Sequence, residues 1–162
     1  MQPSRLFPFA TIVSAATAIA LTALPWMNLK SAGLDLSWNG LGIGDSAIAD
    51  LDVAPEGRGW LIVAACVVAI LAALISLMPA PSAAPLSRLA NVIAAVATTI
   101  GAIVPVAVMI WPNWFYGDLE TKLGAPNLAD FAAPSKVILI PLTLVMLLTA
   151  ALCAYSSRLR TE

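Results

Sequence analysis

The sequence predicts an all-α membrane fold: a bundle of four transmembrane helices with a small extracytoplasmic β-hairpin in its first outer loop. Four stretches, Leu6–Met27, Trp60–Met78, Leu89–Trp111 and Val137–Tyr155, contain no Asp, Glu, Lys, Arg or His. Each runs to roughly 19–23 residues, enough at about 1.5 Å per residue to cross a hydrocarbon layer about 30 Å thick. Hydrophobic residues make up 60% of the chain and charged ones only 10%, far from the balance of a soluble domain. A single integral membrane domain therefore accounts for residues 1–162.

The first span follows Arg5, and Ala18-Ile19-Ala20 imitates a signal-peptide cleavage site. Its apolar run continues to Pro25-Trp26, longer than a signal core, so a retained helix is expected. Between spans lie two outer loops, 28–59 and 112–136, and a short proline-rich inner turn, 79–88. An even number of spans puts both termini on one side. Arg5, Arg88, Arg158 and Arg160 lie with the termini and the turn, while Lys30, Arg58, Lys122 and Lys136 are spread over the longer loops. The denser basic set marks the cytoplasmic side, so both termini and the short turn are expected there. All five tryptophans fall on the other side, and Trp26, Trp60 and Trp111 are expected to form an interfacial belt at the span ends.

Lipid gives helices no hydrophobic reason to associate, so small residues must let them approach. Ala90, Ala94, Ala97 and Gly101 follow such a line on the third span, and Ala65, Ala69 and Ala73 on the second. Pro105 and Pro141 should kink their spans, with hydroxyls such as that of Thr143 meeting freed carbonyls. Asn91, one turn inside the membrane edge, is expected to reach headgroups. Cys66 and Cys153 should lie roughly 15–20 Å apart in depth, too far to bridge.

In the first outer loop, Leu34, Leu36 and Trp38 alternate with polar residues, the period of a strand. Asn39-Gly40 reads as a tight turn and Leu41–Ile43 as the returning strand. Gly40, Gly42 and Gly44 lack the dinucleotide-binding spacing. Asp45, Asp50 and Asp52 lack the calcium-loop order, which leaves a solvated acidic loop and no metal or cofactor. The second loop opens with Trp111-Pro112-Asn113-Trp114-Phe115-Tyr116. Together with Trp38, the aromatics Trp111, Trp114, Phe115 and Tyr116 are the candidate contact for lipid or a partner protein.

The layout resembles the claudin-type four-helix arrangement, and Trp38-Asn39-Gly40-Leu41 is similar to that family's first-loop motif, though the loop has no cysteines. Pro25-Trp26 and Gly57-Arg58-Gly59-Trp60 resemble small four-span membrane proteins of actinobacteria. That resemblance implies a multi-pass protein of a bacterial inner membrane, acting as an accessory subunit of a larger envelope assembly such as an Mce-type lipid importer.

Spans without ionisable groups argue against a free-standing pump or channel. A chain with no histidine, and with cysteines only in its spans, offers few catalytic nucleophiles or bases. No basic cluster exists for nucleic acid. The expected function is therefore a non-enzymatic accessory or scaffold subunit that docks by its small-residue helix faces and its outer loops, with membrane lipids and other membrane-protein subunits as partners. A stand-alone lipid-handling protein is the alternative, and an outer-leaflet enzyme the third reading.

Overall fold

The computed structural model describes residues 3–30, 33, 35–46, 55–78, 84–124 and 132–158. Four long helices carry the fold: α1 (Pro3–Thr22), α2 (Trp60–Leu77), α3 (Ala84–Ile110) and, after two short helices, α6 (Lys136–Arg158). The short ones are α4 (Asn113–Tyr116) and α5 (Leu119–Leu123). α1 packs on α2 and α6, and α3 packs on the same pair, so the long helices close a four-membered ring. Three of them, α2, α3 and α6, are long and apolar enough to cross a membrane. The apolar part of α1, Leu6–Thr22, is shorter.

The first apolar stretch is thus divided. Its helix ends at Thr22, and Pro25–Asn28 forms strand β1 instead of a last helical turn. Pro25 has no N–H to give an α-helix and drives the residue before it toward extended backbone. Two further strands, β2 (Leu36–Asn39) and β3 (Gly44–Ser46), complete an antiparallel sheet in the order β1-β2-β3. Met27 stands opposite Trp38, and Trp38 opposite Gly44. The hairpin forms, but its return strand starts later than the expected Leu41–Ile43. The Asn39 carboxamide explains the shift: its Oδ1 accepts the N–H groups of Leu41 and Ile43, each at 3.0 Å, and holds a wider loop. Leu34 lies outside the described residues.

Small residues line the ring's interior. On α2, Ala65, Ala69 and Ala73 are all buried, and on α3 so are Ala94 and Gly101. Ala90 and Ala97 are half-buried on the flank of that face. The α3 seam itself runs through Ser87, Asn91, Ala94, Thr98 and Gly101, a spacing that keeps one side of a helix inward. These faces hold the chain's own helices together, which removes them as docking surfaces for another subunit. Large aliphatic side chains such as Leu71, Ile100 and Leu144 point outward instead.

Two polar clasps cross between helices. Asn91 Nδ2 donates to Ser76 Oγ at 2.7 Å, tying α3 to α2, and also to the Ser87 carbonyl at 2.7 Å. Asn91 is 2% exposed, so it faces the core and not the headgroups: its position on the inward seam outweighs its nearness to the helix end. On the opposite side, Ser14 Oγ lies 2.7 Å from Thr149 Oγ1 and joins α1 to α6. Most other buried hydroxyls bond the preceding turn, as Thr11, Thr22 and Thr98 do. α3 and α6 continue through Pro105 and Pro141, and Thr143 donates to the Leu139 carbonyl, not to the one Pro141 frees at residue 137.

Both cysteines are buried and free. Cys66 lies 3.5 Å from the Met146 sulfur, and Met146 is only about 10 Å up α6 from Cys153 by helical rise. The thiols are therefore closer in depth than expected, because α6 reaches further toward the sheet end than α2 and brings Met146 level with Cys66.

Candidate functional site

The loops at the sheet end of the bundle fold into one aromatic cap, and Trp26 is its centre. This indole is fully buried, with Nε1 donating to the Leu21 carbonyl at 3.3 Å and its ring 5.7 Å from that of Phe115. It is not part of an interfacial belt. The turn after Thr22 folds it back over the helix end, where burial of its apolar area outweighs a place among headgroups. Phe115 packs edge-on against Tyr116 at 6.0 Å, and Tyr116 donates its hydroxyl to the Ala132 carbonyl. From β1, the Trp26 carbonyl accepts the Ser135 N–H at 2.7 Å. The cap thereby joins the sheet, the second loop and the start of α6.

Glycines allow the hairpin to sit between α1 and α2. Gly40 donates to the Thr22 carbonyl at 3.0 Å and accepts from the Gly59 N–H at 2.8 Å. A Cβ on Gly59 would fall 2.6 Å from both the Gly40 oxygen and the Thr22 methyl, a separation that only an absent side chain permits. The Gly57-Arg58-Gly59 sequence is thus a backbone contact, with Gly57 meeting the Leu41 carbonyl.

Arg58, between those glycines, reaches across to the second loop. Its guanidinium carbon lies 4.9 Å above the Trp114 ring, and Nε donates to the Trp114 carbonyl at 3.4 Å. Its Nη2 pairs with Glu56. One cation thus makes a salt bridge, a cation–π contact and a hydrogen bond. The other described ion pair, Lys30–Asp35 at 3.5 Å, is exposed and adds little.

The five residues of the candidate contact separate cleanly. Trp38, Phe115 and Tyr116 are 3%, 1% and 0% exposed, so they form the cap's own core. Trp111 is 65% exposed, and Trp114 is half-buried beneath Arg58. Trp60, 57% exposed, lies at the start of α2. Read as sequence, Trp111–Tyr116 forms one patch. A single turn of α4 instead points Phe115 and Tyr116 inward and leaves Trp111 outside.

Neither a protein-family model, a curated protein nor a solved structure matches this chain. Its own chemistry is therefore the guide. Among the described residues, no three His, Cys, Asp or Glu side chains gather as metal ligands; Asp50 and Asp52 lie outside those residues. Arg58 and Glu56 serve the cap by pairing with each other. Among the described residues, the cap presents an aromatic rim, with Trp60 and Trp111 exposed at its edge.

Sequence reasoning missed the Arg58–Trp114 contact and the Asn91–Ser76 clasp. Gly57-Arg58-Gly59 carried the signal for the first, since paired glycines around an arginine mark a backbone approach with one side chain to spare.

Proposed function

We propose that this chain is a non-enzymatic accessory or scaffold subunit of a larger cell-envelope membrane complex, with an Mce-type lipid importer as the assembly its sequence resemblance implies. In this reading α1 joins α2, α3 and α6 in crossing the membrane. Its apolar part meets the lower limit of about 17 residues for a span. Both termini lie in the cytoplasm, and the aromatic cap faces outward.

The observation that carries the reading is the division of labour within the cap. Four aromatics, Trp26, Trp38, Phe115 and Tyr116, are buried to build it, while Trp60 and Trp111 remain more than half exposed at its edge. Loops with no binding role have little reason to spend so much buried aromatic surface on a fixed shape. Exposed indoles beside a preorganised rim suit a partner subunit. The interior supports the same reading, since its described buried polar groups are hydroxyls, one amide and two thiols, with no carboxylate, ammonium or guanidinium among them.

Gentle detergent purification of the tagged chain from its native membrane, followed by mass spectrometry, tests the proposal. Stoichiometric recovery with other membrane subunits is expected, and Trp111→Ala should weaken it while membrane insertion persists. A chain recovered alone would refute the scaffold role.

A further inference from the structure

Between α1 and α6 runs an apolar groove of about 1270 Å³. Leu6, Val13 and Thr17 line it from α1, Val145, Leu148 and Leu152 from α6, and Leu77 at the end of α2. We propose that this groove is a binding site for one acyl chain of an anionic phospholipid, from the leaflet on the side of the chain termini. The inference rests on the transmembrane reading above but not on the scaffold role.

Three observations select this occupant. The first is length. From Leu6 to Thr17 the groove follows α1 for about 16 Å, close to half of a hydrocarbon core about 30 Å thick. That is the depth of one leaflet, whereas a partner helix crossing the membrane would need a groove along the whole bundle. The second is charge. Arg5 immediately precedes Leu6, and exposed Arg158 lies about 9 Å beyond Leu152 along α6. Each of the two helices thus carries an arginine in sequence at this end of the groove, and such residues complement an anionic headgroup.

The third is that α1 and α6 are already joined to each other, so the groove is a fixed furrow along their shared surface. The Phe7 and Tyr155 rings meet across the two helices with centroids 4.9 Å apart. Ser14, which lines the groove, is hydrogen-bonded to Thr149 at 2.7 Å and also donates to the Val145 carbonyl at 3.3 Å. These links fix the separation of α1 and α6, so a chain can enter without prising the helices apart. Its walls offer methyl and methylene groups, and the Ser14 hydroxyl is already satisfied. Selectivity must therefore come from the headgroup end.

The test uses the full-length protein in nanodiscs of equal phosphatidylglycerol and phosphatidylcholine, released for native mass spectrometry. Wild-type protein should retain one phosphatidylglycerol in preference to phosphatidylcholine. Val13→Trp fills the groove from a position already 54% exposed, so it should abolish retention without disturbing the bundle. Ile100→Trp, on the outward face of α3 and 60% exposed, should retain lipid as wild type does. Replacing both Arg5 and Arg158 with Gln should lower the preference for phosphatidylglycerol by at least roughly fivefold. Equal retention by Val13→Trp and Ile100→Trp would overturn the site, and equal retention of the two lipids by wild type would overturn the anionic headgroup. Carbonate extraction of the source membranes separates the two readings: release of the chain would defeat the transmembrane reading and this site together, while lipid loss from a membrane-held chain defeats the site alone.

Discussion

Gly40 lies against the face of the Trp26 indole, and a Cβ on residue 40 would stand 2.5 Å from Cε2 and 2.9 Å from Cδ2 of that ring. Trp26 cannot move aside, because it is fully buried and its Nε1 is bonded to the Leu21 carbonyl. Gly40 is equally fixed, with its N–H on Thr22 and its carbonyl on Gly59. The hairpin thus reaches the helix ends only because residue 40 has no side chain.

Gly40→Ala should therefore destabilise the cap by about 1–3 kcal/mol, the usual range for overpacking a filled core. Thermal unfolding in detergent, followed by tryptophan fluorescence, reads this directly because Trp26 reports on the site. An unchanged midpoint would show that the ring has room to give.

Arg58 makes a second prediction. Its contacts with Trp114 and Glu56 connect the start of α2 to the second loop, yet they lie outside the bundle core. Arg58→Ala should raise amide exchange across residues 113–123 while the buried amides of α2 and α3 stay protected. Arg58→Lys should not restore protection, since an ammonium lacks the flat guanidinium that stacks on Trp114 while also bonding its carbonyl. Rescue by lysine would mean that charge alone holds the loop.

How far the sequence foretells this structure varies with the physical scale of the signal. Uncharged runs of membrane length mark α2, α3 and α6 plainly, because hydropathy averages over many residues. It fails at Leu6–Met27, where Pro25 changes the backbone but not the hydropathy, so β1 is hidden inside an apolar run. The alternation at Leu36 and Trp38 identifies β2, whereas the Asn39 side chain decides the width of the turn. Small-residue spacing finds the packing faces of α2 and α3 but cannot say whether their partners are internal or foreign. The aromatic cluster is visible as composition only. Which rings turn inward depends on one turn of α4 and on the depth of Gly40 beneath Trp26, relationships between segments far apart in the chain.

The Asn91–Ser76 clasp should contribute a measurable but modest coupling. Hydrogen bonds between membrane helices average about 0.6 kcal/mol in double-mutant cycles, because the separated helices find other partners. Here Asn91 also bonds the Ser87 carbonyl within its own helix, so Ser76→Ala leaves that contact in place. Asn91→Ala should cost more than Ser76→Ala, and a cycle of the two should give a coupling of about 0.5–1.5 kcal/mol. Zero coupling would mean that each side chain is satisfied by its own helix alone.

Three helices approach one another closely at Gly101. A Cβ there would lie 2.6 Å from Met146 Cε on α6 and 3.2 Å from Ala65 Cβ on α2. These neighbours differ in how they can yield. The Met146 methyl ends a flexible side chain, whereas the Ala65 methyl moves only with the backbone of α2. Gly101→Ala should consequently cost only about 1 kcal/mol, as Met146 turns away and α2 shifts slightly. Gly101→Leu leaves no such escape and should separate α3 from α2, with a larger fall in thermal stability. Met146→Ala should itself destabilise by about 2–5 kcal/mol through the cavity it opens. Combined with Gly101→Ala it should cost less than the sum, because the new methyl enters space vacated by Cε. Strict additivity in that cycle would show that residues 101 and 146 do not share a contact.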